Sequence, residues 1–148
     1  STLHTNDAIS SITRLIDLGI PPHLITASLR GVLAQRLVRR LCEYCKVKSP
    51  TPIEAWKQVI GTQSIEPPSF VFTANGCPEC KHSGYKGRLC VYEMVIVDRK
   101  LKDAIRSNVT LEELIEASKG KFTPLSVCGA RKIREGATSL EEVLRVIF

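Results

Sequence analysis

No apolar run in the 148 residues approaches the roughly 20 that a helix needs to cross a bilayer. No basic, apolar, small-residue opening resembles a secretory signal. The phosphate-cradling loop G-x-x-x-x-G-K-[ST] is missing. So are the serine nucleophile elbow and the H-E-x-x-H helix of the zinc proteases. These absences leave no membrane span, no self-contained P-loop and no familiar hydrolase centre. Internal repeats and low-complexity segments are missing too, which excludes a solenoid. Aromatic residues make up only 5% of the chain. The net charge of +6 is spread rather than gathered on a basic helix with interleaved aromatics, so nucleic acid is not the expected partner. A hydrophobic fraction of 43% is ordinary for a chain that buries a core.

What the sequence does have is cysteine in a pattern. Cys42-Glu43-Tyr44-Cys45 and Cys77-Pro78-Glu79-Cys80 are separated by 31 residues. Two intervening residues let both sulfurs of a C-x-x-C pair turn onto one ion, and two such knuckles complete a tetrahedral zinc site. Four thiolates leave no open coordination position, so the expected role is structural. Two disulfides or four unrelated thiols are the alternatives. Disulfides need an oxidising compartment, and the cysteine usage favours a reducing cytoplasm. Cys90 and Cys128 read as buried small hydrophobes. His82 beside Cys80 could replace a thiolate, but four cysteines already fill the site.

Around this stretch the apolar periodicity gives an α/β chain. Thr5 or Asn6 can cap a first helix carrying Ile9, Ile12, Leu15 and Ile16 on one face. Gly19 ends it, and Pro21-Pro22 opens a second helix bearing Leu24, Ile25, Ser28 and Leu29. Val32–Leu41 and Arg88–Val97 read as strands. The simplest picture is an antiparallel pair whose connection has been expanded into a metal-pinned lobe. Within that lobe, Thr51-Pro52-Ile53-Glu54 looks like a capping box opening a helix to about Ile60. Phe70-Val71-Phe72 reads as a short strand. From Asp98 onward the chain is helical, with Leu111, Leu114 and Ile115 expected inward on the helix capped by Thr110. A small bundle packed on the sheet is expected.

Single residues carry less. His4 ends a strand, as many satisfied histidines do, and His23 follows a proline pair. Arg36, Arg39 and Arg40 could bind phosphate through their planar guanidinium groups, or line a solvated face. Asn108-Val109-Thr110 matches a glycosylation sequon by chance in a cytoplasmic chain.

A resemblance sharpens the reading. Ser1-Thr2-Leu3-His4-Thr5-Asn6-Asp7-Ala8 resembles the histidine box of the bacterial secretion ATPases that drive type II secretion and type IV pilus assembly. The likeness continues through Ile12–Asp17, Gly31–Cys42, Gly84–Arg88, Val91–Met94 and Gly136–Arg145, and it is weakest over Val47–Phe72. It implies the C-terminal part of a RecA-like ATPase core (residues 1–41 with strand 88–97), an inserted tetracysteine zinc lobe (42–87) and a helical C-terminal domain (98–148). It implies homo-hexamers in the cytoplasm at the inner face of the bacterial inner membrane. There, ATP and Mg2+ would power inner-membrane secretion or pilus platform proteins, and membrane association would be peripheral, through partners. His4 would sit near the γ-phosphate, Gln35 and Arg36 near the nucleotide or an interprotomer surface, and Cys42, Cys45, Cys77 and Cys80 on structural zinc. The first helix, the Gln35 segment and the Thr138 tail look slightly more like the type II branch. The start on Ser1 without Met suggests a fragment of a longer protein, with the P-loop outside it, and the fragment alone is expected to be inactive. The alternative is a stand-alone zinc-ribbon module for protein or nucleic acid, which salt-dependent DNA binding would favour.

Overall fold

Helix α1 (Ala8–Asp17) begins where two carboxylates meet its free amides. Asp7 Oδ1 accepts from Ser10 N at 2.7 Å, and buried Glu93 Oε1 accepts from Ala8 N at 2.6 Å. Both place negative charge at the positive end of the helix. The cap is therefore Asp7, not Thr5 or Asn6. These details come from a computed structural model, which describes residues 5, 7–107 and 110–147.

Helix α2 (Pro22–Ser28) starts on its proline, whose fixed φ suits a first helical turn. Strand β1 (Gly31–Leu41) follows, and strand β4 (Tyr85–Ile96) pairs with it in a two-stranded sheet. Val97 N donates to Arg30 O, and Cys42 N donates to Gly84 O. Partner numbers fall as β1 advances, so the pair is antiparallel, as expected. Between them lie β2 (Val47–Pro50), α3 (Ile53–Ile60) and β3 (Phe70–Thr73), with β2 and β3 antiparallel and Val47 opposite Thr73. The capping box expected at Thr51 does not form. Thr51 Oγ1 donates instead to Pro68 O at 2.5 Å, and α3 starts after Pro52 with no side-chain cap. The box expected at Thr110 does form. Its hydroxyl accepts from Glu113 N at 3.3 Å, and Glu113 Oε2 accepts from Thr110 N at 2.8 Å, opening α5 (Leu111–Ser118).

The chain divides into two compact units, Ser1–Ala34 with Tyr92–Pro124, and Gln35–Val91 with Leu125–Phe148. In the first, α4 (Arg99–Arg106) and α5 pack with α1 and α2 around Ile9, Ile12, Leu101, Ile105 and Leu114. Ile115, expected inward, is 48% exposed. In the second, α6 (Leu125–Arg134) and α7 (Leu140–Ile147) pack with α3 and β3 around Trp56, Val59, Val71, Ile133 and Leu140. The four C-terminal helices therefore do not form one bundle. Each helix pair is more fully buried by a different partner, because α4 and α5 present their apolar faces to α1 and α2, and α6 and α7 theirs to α3.

The second unit is held by a buried charge that no apolar pattern announces. Glu142 on α7 has a fully buried side chain. Its carboxylate accepts from Arg39 N, Nε and Nη2 and from Arg145 Nε and Nη2, all within 2.7 to 3.0 Å. Arg39 also lies over the Tyr85 ring, 4.1 Å from its centroid. Burial alone would raise the Glu142 carboxyl, but these donors overcome it and hold the group at about 2. The stability this contributes is present above the ordinary carboxylate range and is lost as pH falls from about 4.5 toward 2. Glu142→Gln should cost about 3 kcal/mol near neutral pH, the lower end for breaking a buried pair because both arginines are partly exposed. In urea unfolding, the gap between wild type and this variant should close over that acid window. A gap unchanged between neutral pH and pH 3 would show that the carboxylate is not stabilising the unit.

Candidate metal centre

The base of the β1–β4 hairpin carries both knuckles. Cys42 follows the last residue of β1, and Cys45 sits one turn later, with Lys46 N bonded to Cys42 O at 3.0 Å. The second knuckle is a 3-10 turn over Pro78–Cys80, closed by Lys81 N to Pro78 O at 3.0 Å and His82 N to Cys77 O at 2.8 Å. Two glycines make room for it. A side chain at Gly76 would lie 2.7 Å from His82 O, and one at Gly84 would lie 2.5 Å from Ala74 Cβ; both have positive φ, 97° and 76°. Only glycine meets the space and the backbone together. Lys81 and His82 also adopt left-handed φ, 53° and 59°, a conformation that costs a non-glycine residue energy and is retained where the surroundings over-determine it.

The four sulfurs converge. All lie within 4.8 Å of one another. Cys42 Sγ is 3.8 Å from Cys77 Sγ, Cys45 Sγ is 3.8 Å from Cys80 Sγ, and Cys77 and Cys80 are 3.7 Å apart. Four sulfurs about 2.3 Å from a central ion form a tetrahedron with edges of about 3.8 Å. The separations therefore fit one ion bound by four thiolates. They are far beyond the roughly 2.05 Å of a disulfide, and all six cysteines are free. The disulfide alternative is excluded for these positions.

The surroundings prepare the sulfurs for a cation. Cys80 Sγ accepts from the backbone N–H groups of Cys77 and Gly84, both at 3.2 Å. Burial opposes ionisation of Cys80, but these donors and the neighbouring thiols bring it down to about 6. Burial first, and then hydrogen bonds with the neighbouring cysteines, push Cys45 up to about 12, so without a cation Cys45 and Cys80 are driven apart. A divalent ion removes that conflict by attracting all four. Three of the cysteines are buried and Cys77 is partly so, so an ion here would be enclosed, as in a structural site. His82 is exposed and lies outside the four-sulfur cluster.

The other expected site residues are not gathered here. Gln35 is exposed on β1, and its Oε1 accepts a weak 3.6 Å bond from Cys90 Sγ. Arg36 is half-buried and donates to Gln35 O at 3.0 Å. Arg39 is committed to Glu142 and Tyr85 rather than to a phosphate. His23 is exposed. His4, the strand end around it, and Asn108-Val109 of the sequon lie outside the described residues. Cys128 is buried as expected, whereas Cys90 is only partly so.

A four-thiol, metal-competent knuckle set into the base of an antiparallel hairpin, with helices on either side in sequence, is a tetracysteine α/β segment. The chain belongs to the family described as Type II/IV secretion system protein, which it matches over residues 1–145. It is 51% identical over 148 residues to "Type IV pilus assembly ATPase TfpB" of Acinetobacter baylyi, covering 99% of this chain and 25% of that protein. It is 42% identical over 146 residues to "Type II secretion system ATPase E" of Vibrio cholerae, covering 99% of this chain and 29% of that protein. "Type IV pilus assembly ATPase PilB" of Thermus thermophilus is 39% identical over 145 residues, covering 97% of this chain and 16% of that protein. The chain thus spans between about a sixth and three tenths of these relatives. The leaning of the Gln35 and Thr138 segments toward the type II branch gains no support from these identities. No helix among the described residues is long and apolar enough to cross a membrane.

Saturating the reduced protein with zinc should bring one equivalent into the cluster and raise the melting temperature, because the ion binds the folded arrangement and not the unfolded chain. Chelation should reverse the rise, and Cys80→Ser should abolish it. A melting curve indifferent to both zinc and chelator would remove the metal from the site.

Proposed function

We propose that this chain is the C-terminal part of a cytoplasmic hexameric ATPase that powers type II protein secretion or type IV pilus assembly. The observation that carries the reading is the match of nearly the whole chain to relatives named for those two tasks. The convergent thiols add a structural role for zinc, Cys42, Cys45, Cys77 and Cys80 being its ligands. A filled S4 site offers no position for substrate or water, so the metal fastens the fold and takes no part in the ATP chemistry.

Within this reading, residues 1–41 and 88–97 complete a RecA-like core and 42–87 form the zinc lobe, and the helices of 98–148 follow, α4 and α5 in the first unit and α6 and α7 in the second. His4 approaches the γ-phosphate of bound Mg-ATP. Gln35 and Arg36 lie near the nucleotide or the neighbouring protomer. Inner-membrane platform proteins hold the hexamer at the cytoplasmic face. The 148 residues contain no P-loop, so nothing in them cradles the β- and γ-phosphates as that loop does.

Phosphate release from Mg-ATP should stay at background for the 148-residue chain. In the parent protein it should proceed, and should fall about a hundredfold or more with His4→Ala, the scale expected when a group that stabilises transferring charge is removed. Turnover by the 148 residues alone would overturn the division of labour. Full turnover in the parent His4→Ala variant would take His4 out of the chemistry.

A further inference from the structure

The segment from Gly136 to Glu142 is bonded to both sides of the hairpin base that carries the cysteines. On the β1 side, Leu41 N donates to Ala137 O at 3.0 Å, and Thr138 Oγ1 donates to Arg39 O at 2.8 Å. Just past the first knuckle, Lys46 Nζ donates to Gly136 O at 3.1 Å. On the β4 side, the Tyr85 hydroxyl and Ser139 Oγ share a bond of 2.7 Å. Glu142 closes the arrangement. Its backbone N donates to Ser139 Oγ at 3.2 Å, and its carboxylate holds Arg39, which stacks on Tyr85. Thr138, Ser139 and Glu142 are all essentially buried.

We propose that Glu142 is a positioning residue for the four-cysteine site, holding the two knuckles in register through a clasp formed by residues 136–142. The inference rests on the reading of the cluster as a metal site. A two-stranded ribbon is marginally stable by itself, yet Cys42 and Cys77 must meet across 35 positions of sequence. Arg39, three residues before Cys42, and Tyr85, one after Gly84, are the points where the two strands enter the knuckles. The clasp fixes both, and the buried carboxylate fixes the clasp. Metal affinity then depends on a side chain that never touches the metal, as partners behind ligands commonly set it. Because coupling is reciprocal, the ion must in turn order α7.

The test is zinc competition between the reduced 148-residue chain and a chromophoric chelator at neutral pH. Glu142→Gln should weaken zinc binding about tenfold, the lower end of what loss of a supporting partner does. Val59→Ala, on α3 and outside the hydrogen bonds of the clasp, should be matched to it in lost stability and should leave affinity unchanged. Removing zinc from wild type should speed amide exchange in residues 140–147 more than in 53–60. If Glu142→Gln does not fold, Ser139→Ala is read in its place, with a smaller loss expected. Equal affinity in wild type and the clasp variant, or equal losses in Glu142→Gln and Val59→Ala, would overturn the proposal while leaving the metal site standing. Failure of wild type itself to bind zinc would overturn both.

Discussion

Four sulfurs, contributed by two short turns far apart in sequence, must come within about one tetrahedral edge of each other. Most local features near the hairpin base serve that requirement. Gly76 and Gly84 accept backbone angles and contacts that no side chain allows. Lys81 and His82 hold left-handed conformations. The antiparallel pairing of β1 and β4 brings Cys42 beside Gly84, and the amide of Gly84 in turn points at Cys80. Closing a long loop near its base removes more chain entropy from the unfolded state than closing a short one, though the gain grows only slowly with length. A metal at this point therefore does for the lobe what a disulfide does in a secreted domain, without needing an oxidising compartment.

The thiols alone do not make a compact unit. Trp56, Val71, Ile133 and Leu140 supply an apolar core, and Glu142 supplies a buried charge whose partners come from both β1 and α7. Such a group is expensive to bury and dangerous to leave unpaired, so the two arginines that satisfy it tie α7 to β1. The other unit has a separate core built on α1, α2, α4 and α5. Its carboxylates cap helices, Asp7 and the distant Glu93 at the start of α1 and Asp98 at the start of α4, where Asp98 also contacts Lys121.

Much of this was legible in residue order. The C-x-x-C spacing carries the cluster because ligand geometry is local and stereotyped. The 3.6-residue period carries α1, and the Thr110 box carries the start of α5. The Thr51 box failed because its hydroxyl donates to Pro68 O, a partner distant in sequence, and the helix starts one residue later, on Pro52 as its cap. Strand β2 went unread because Val47-Lys48-Ser49-Pro50 has neither alternation nor β-branched runs and exists by pairing with β3. Glu142 was invisible for a similar reason. A glutamate three residues before an arginine on an amphipathic helix reads as a surface pair, and its burial follows from Arg39, more than a hundred positions earlier. The grouping of the last four helices was also misread, because periodicity shows that a helix has an apolar face but not which face it meets.

The central claim is that one divalent ion sits among Cys42, Cys45, Cys77 and Cys80. Zinc-edge X-ray absorption on the reduced, zinc-loaded protein reads the metal's immediate neighbours directly. A single shell of four sulfurs at about 2.3 Å is expected. A shell containing nitrogen or oxygen, or fewer than four sulfurs, would contradict it.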